Sequence, residues 1–183
     1  GHAEVVSMLL AKQGVNVNQA MNNGCTPLYI ASAFGHAEVV SMLLAKQGVN
    51  VNHTDEEGCT PLYIASQEGH AEVVSMLLAK QGVNVNQAMN NGCTPLYIAS
   101  AFGHAEVVSM LLAKQGVNVN HTDEEGCTPL YIASQEGHAE VVSMLLAKQG
   151  VNVNKAADDG YTPLSIASQN GHAEVVSMLL AKQ

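Results

Sequence analysis

An all-α solenoid of stacked antiparallel helix pairs, with β-turn or hairpin fingers projecting from one side, is the fold this sequence predicts. Three observations predict it. The segment GHAEVVSMLLAKQ begins at Gly1, Gly35, Gly69, Gly103, Gly137 and Gly171, an unbroken spacing of 34 residues, and self-similarity at such a period marks a stacked array. Each unit carries two helix-like stretches, one short and one longer with a clear apolar face, separated by a glycine. A single unit also offers too few apolar side chains to offset the ordering of its own backbone, so units must bury their faces against their neighbours.

The elements follow in order within one domain, 1–183. Residues 1–13 are the second helix of a partial unit, and full units run at about 14–47, 48–81, 82–115, 116–149 and 150–183. Thr26-Pro27-Leu28-Tyr29-Ile30-Ala31-Ser32-Ala33-Phe34-Gly35 reads as a short helix A, with Thr26 as cap, Pro27 in the first turn and Gly35 as stop. His36 to Lys46 reads as helix B. It places Val39, Val40, Leu43 and Leu44 on one face, Glu38, Ser41 and Ala45 on another, and puts Glu38 early and Lys46 late, as the helix dipole favours. Gly48 stops it, Val49-Asn50-Val51-Asn52 alternates like an extended segment, and the polar stretch to Gly58 reads as a turn that projects as a finger. The side chains expected to be buried in one unit are Leu28, Ile30, Ala31, Val39, Val40, Met42, Leu43, Leu44, Val49 and Val51.

Composition narrows the function classes. Seven basic against sixteen acidic residues give a net charge of −9, which opposes the phosphate neutralisation that nucleic-acid binding rests on. Apolar runs such as Met42-Leu43-Leu44-Ala45 are too short to cross a bilayer, so neither nucleic acid nor membrane is an expected partner. Cys25, Cys59, Cys93 and Cys127 recur at the repeat period, and layers about 8–10 Å apart hold them beyond the roughly 7 Å that a disulfide spans. Free thiols and no readable leader fit a cytoplasmic setting, unless the gene is synthetic.

TPLYIA, GHAEVV and LLAKQGVNVN closely resemble the ankyrin consensus of TPLH-x-A, GH-x-EVV, LL and G-A-D-V-N, and the resemblance covers the whole chain. The period alone also suits tetratricopeptide repeats, but those carry a Trp-Leu-Gly-Tyr pattern and this sequence has no Trp. Two departures stand out. Tyr29, Tyr63, Tyr97 and Tyr131 replace the usual His, and each unit has one residue more than the family's roughly 33, between Leu44 and Val51, which is expected to alter the superhelical twist.

The units differ only at the positions of residues 19–23, 25, 29, 33 and 34. The resemblance implies that fingertips and the exposed face of helix A line a concave groove that contacts protein partners. Candidate groove residues are therefore Met21, Asn22, Asn23, Cys25, Tyr29, Ala33 and Phe34 in the first full unit, and Asp55, Glu56, Glu57, Cys59, Tyr63, Gln67 and Glu68 in the second. Met89, Asn90, Asn91, Tyr97 and Phe102 follow in the third, Asp123, Glu124, Glu125, Tyr131 and Glu136 in the fourth, and Asp158, Asp159 and Tyr161 in the fifth. Bands of neutral-aromatic and acidic character alternate, with Phe34 and Phe102 as candidate anchors for a basic, partly apolar protein segment.

Catalysis and cofactors are not expected. The cysteines lack an identifiable activating base, and the sequence contains neither a Gly-rich phosphate loop nor HExxH. His53, Asp55, Glu56 and Glu57, with His121, Asp123, Glu124 and Glu125, put hard ligands near a turn, but their spacing matches no calcium or zinc loop, so no metal site is expected. The histidines that open helix B, such as His36 and His70, are read as tying down the adjoining loop. A bare helix B at each end, without a polar cap, suggests head-to-tail self-association. Residues 1–68 and 69–136 are identical, and that regularity reads first as an engineered or consensus-like scaffold with no native ligand, and second as a natural protein-interaction module.

Overall fold

The computed structural model describes residues 3–12 and 14–182. Gly1, the first of the six repeat starts, lies outside the described residues, as do His2, Gln13 and Gln183. Among the described residues the chain forms eleven helices: α1 (Ala3–Leu10), α2 (Pro27–Ala33), α3 (Ala37–Leu44), α4 (Pro61–Gln67), α5 (Ala71–Ala79), α6 (Pro95–Ala101), α7 (Ala105–Ala113), α8 (Pro129–Glu136), α9 (Ala139–Ala147), α10 (Pro163–Gln169) and α11 (Ala173–Ala181). The even-numbered helices are the A helices and stack in one layer. The odd-numbered ones are the B helices, stack in a second, and from α3 onward each packs on the A helix of its own unit. The chain is therefore an all-α solenoid.

Each A helix starts where its sequence provides a cap. Thr60 sits in an extended conformation and its hydroxyl accepts from the Tyr63 amide at 3.1 Å, while Pro61 fills the first turn, where no amide donor is required. The expected B-helix stripe is buried: Val39, Val40, Leu43 and Leu44 form one continuous core with their equivalents along the stack, and Glu38, Ser41 and Ala45 are exposed. Ile30, Met42 and Val49 depart from the expected full burial. Ile30 is 36% exposed, and Met42 and Val49 are half-buried at the margin of the core.

Three side-chain ladders join consecutive units. The His70 ring donates from Nε2 to the Ala33 carbonyl at 3.1 Å, and His104, His138 and His172 do the same to Gln67, Ala101 and Gln135. The histidine thus ties down the preceding unit, one repeat away, rather than the adjoining loop. Lys80 donates to the Leu44 carbonyl at 2.6 Å, placing a cation at the C-terminus of the preceding B helix, where the dipole favours it. Lys46, Lys114 and Lys148 repeat that contact on Leu10, Leu78 and Leu112.

The third ladder corrects the reading of Val-Asn-Val-Asn as an extended segment. Val51 and Asn52 form a turn, closed as the Asn50 carboxamide accepts from the Asn52 amide at 3.1 Å, a short-range bond asparagine makes readily. Asn52 then spans to the next unit, donating to the Gly82 carbonyl at 2.7 Å and accepting from the Asn84 amide at 2.8 Å. The valines on either side stay in register with the core while the asparagines bridge.

Candidate functional site

Beyond each turn the chain forms a finger, and the fingers are linked to one another through their backbones. Asp55 accepts at its carbonyl from Gly58 and donates its amide to the Cys59 carbonyl, closing the loop. Its carboxylate accepts from the Glu57 amide at 3.0 Å and the Cys59 amide at 2.8 Å. Neighbouring fingers then join through Glu56 to Asn23, Asn90 to Glu57, Glu124 to Asn91 and Asp158 to Glu125, each a backbone bond of 2.9–3.2 Å. A row of short loops becomes one tethered rim.

Fingertips and A helices meet around a cavity at the C-terminal end of the array. Between the fourth and fifth units Glu124, Glu125, Asp158 and Asp159 from two fingers surround a cavity of about 550 Å³ whose other walls are Cys127, Tyr131 and Gln135 and, from the fifth unit, Ala157 and Ile166. Gln135, Ala157 and Ile166 escape the sequence reading. Gln135 and Ala157 do stand at variable positions, whereas Ile166 is constant and gives no signal.

The candidate residues divide by burial. Met21, Asn22, Asn23, Glu56, Glu57, Asn90, Asn91, Glu124, Glu125, Asp158, Asp159 and Tyr161 are exposed on the fingers, and Phe34, Phe102, Glu68 and Glu136 are exposed at the ends of the A helices. Tyr29, Ala33, Asp55, Gln67, Met89 and Asp123 are half-buried. Phe34 is 67% exposed, its ring stacked 6.0 Å from His36, and Phe102 stacks on His104 at 6.1 Å.

Cys25, Cys59, Tyr63, Tyr97 and Tyr131 are corrections to the groove list, because their side chains are buried. Cys59, Tyr63, Cys93, Tyr97, Cys127, Tyr131, Ala157 and Ile166 build a second core beneath the fingers. All four cysteines are free thiols. Burial pushes the Cys59 thiol up to about 12, with the Asp55 carboxylate adding to the shift, and burial with Asp123 pushes Cys93 to about 11. Burial likewise raises Tyr97, whose hydroxyl is hydrogen-bonded to Asp123. These groups are kept protonated, the opposite of an activated nucleophile.

The charges are segregated. The B-helix segments carry Glu4, Glu38, Glu72, Glu106, Glu140 and Glu174 against Lys12, Lys46, Lys80, Lys114, Lys148 and Lys182, which cancel. The other ten carboxylates stand on fingers and A helices with Lys155 as their sole basic companion, so the whole net charge of −9 belongs to that part of the units. Among the described residues no three His, Cys, Asp or Glu side chains are gathered closely enough to hold a metal ion, and no helix is long and apolar enough to cross a membrane.

Two layers of short helices with linked fingers along one side define a helical-repeat array. A family model described as ankyrin repeats (3 copies) matches residues 1–55, 43–123 and 112–183, and the chain belongs to the ankyrin-repeat family. No curated protein matches the sequence.

Proposed function

We infer that the chain is a protein-interaction module whose groove takes a basic, partly apolar segment of another protein. Ankyrin repeats are in general protein-interaction modules. The segregation of charge carries the specific reading: a scaffold indifferent to partners has no need to cancel charge on its B helices and leave all of it on fingers and A helices. Such a field raises the rate of encounter with a cationic partner and disfavours an anionic one. Phe34 and Phe102, held against His36 and His104, supply apolar anchors in the same surface.

The test is affinity capture from a soluble extract at low and raised salt, with the F34S/F102S double variant as comparison. A protein retained by the parent chain, released by salt and weakened at least about tenfold by the variant, which is the scale of one hot-spot loss, supports the reading. Equal retention by both forms removes the anchors from it. A second reading, an engineered or consensus-like scaffold without native ligand, draws support from the identity of residues 1–68 and 69–136. Failure to retain any protein at low salt would favour it.

A further inference from the structure

Resting on the reading that the groove takes a basic segment, we propose that the cleft between the fourth and fifth units seats an arginine side chain of that segment. The cleft arises from an identifiable change between units. In the third unit the fingertip is Met89-Asn90-Asn91, and Met89, half-buried, packs with Ile98 against the second core. In the fifth unit the same three positions are Ala157-Asp158-Asp159. Replacing the methionine by alanine removes the side chain that fills this place, and here the cavity of about 550 Å³ lies, floored by Tyr131 and Ile166. The same change turns two neutral carboxamides into carboxylates.

Four carboxylates thereby meet at the rim from adjacent fingers, tied together by the Asp158 amide donating to the Glu125 carbonyl at 2.9 Å. Asp159 keeps one oxygen on the Tyr161 amide at 3.0 Å, so its orientation is fixed. These acids are too widely spread to act together on one metal ion. A guanidinium matches the spacing better: it is planar, delocalised and weakly hydrated, and its five donors reach carboxylates on more than one side. Its methylene stem lies along Tyr131 and Ile166, as arginine stems do on apolar surface. Lysine, a compact and strongly hydrated point charge, fits the wide rim less well.

The test uses the full chain, a fluorescently labelled nona-arginine peptide and its nona-lysine counterpart, read by anisotropy at low salt. Three variants separate shape from charge. A157M restores the methionine of the first and third units without altering charge. D158N/D159N restores their asparagines, and Asn91 already orients its finger as Asp159 does, its carboxamide accepting from the Cys93 amide at 3.1 Å, so this variant folds. D55N/E56Q removes two charges from a finger outside the cleft. The expected result is nona-arginine binding weakened about fivefold by A157M and about tenfold by D158N/D159N, but less than about threefold by D55N/E56Q, each rim contact contributing a modest factor. Nona-lysine binds more weakly and is insensitive to A157M. If A157M leaves nona-arginine binding unchanged, or both charge variants weaken it equally, the cleft is overturned while the groove reading stands. If nona-arginine does not bind the parent chain, the groove reading falls as well.

Discussion

Asn23 and Asp55 stand two positions apart in the repeat, Asn23 matching Glu57 and Asp55 matching Met21, yet each closes its finger through a side-chain oxygen that accepts backbone amides. The Asn23 carboxamide accepts from the Cys25 amide at 3.2 Å, and the Asp55 carboxylate accepts from the amides of Glu57 and Cys59. A carboxamide and a carboxylate thus both serve as fingertip acceptors, so the bonds call for an acceptor oxygen and not for an ion. D55N is expected to leave stability nearly unchanged, while D55A strands two amides and costs about 1–2 kcal/mol, measured by urea unfolding. The buried thiols give a second residue-scale expectation. Folding raises Cys59 and Cys93 from 9.0 to about 12 and about 11, so the unfolded chain releases those protons first as pH rises. Their stabilising contribution is complete below about pH 9 and is lost as pH rises through the folded values. The urea midpoint should fall between pH 8 and pH 10.5, and the fall should be shallower in C59A/C93A. An unchanged slope would show that the thiols do not contribute.

At the scale of the element, the glycine after each A helix and the glycine after each B helix look alike in sequence and differ in surroundings. Gly69 and Gly82 both have positive φ, +72° and +84°. A Cβ on Gly69 would lie 2.7 Å from Nδ1 of His104, the ring that bonds the Gln67 carbonyl, whereas one on Gly82 would meet nothing within 4 Å. G82A should cost about 1 kcal/mol, the left-handed penalty alone, and G69A distinctly more, because it also displaces the histidine ladder. Thermal melts of the two variants test the order. The helices were legible because Thr-Pro and the B-helix apolar stripe are local signals. The Val-Asn-Val-Asn turn was not, because Asn52 finds its decisive partners at Gly82 and Asn84, about one unit away. The tyrosines misled for a related reason. Their position varies, with Ser165 in the fifth unit, and variation was read as exposure, but Tyr63, Tyr97 and Tyr131 pack beneath the following finger.

For the whole molecule, what matters is which unit follows which. Tyr29 and Tyr97 lie against the carboxylates of Asp55 and Asp123 in the following finger, whereas Tyr63 packs in the second core alongside Cys93 of a finger that carries Met89 instead. The structural period is therefore two units. Deleting residues 69–136 joins Glu68 to Gly137 and recreates a junction the chain already has between Glu136 and Gly137. Every remaining interface is then of a native kind. Deleting residues 35–68 instead sets the first unit directly against the third, and Tyr29 meets Met89 where it had Asp55. In a one-dimensional array, stability is close to a sum of unit and nearest-neighbour contributions, and the denaturant slope follows the surface exposed on unfolding. The longer deletion should lower both the urea midpoint and the slope while keeping a single sharp transition. The shorter deletion removes less surface and so keeps a steeper slope, yet its midpoint should fall below the value interpolated between the parent and the longer deletion, because its new junction lacks the Tyr–Asp contact. A midpoint on that interpolated line would mean that the two kinds of unit are interchangeable neighbours and that the alternation has no energetic consequence.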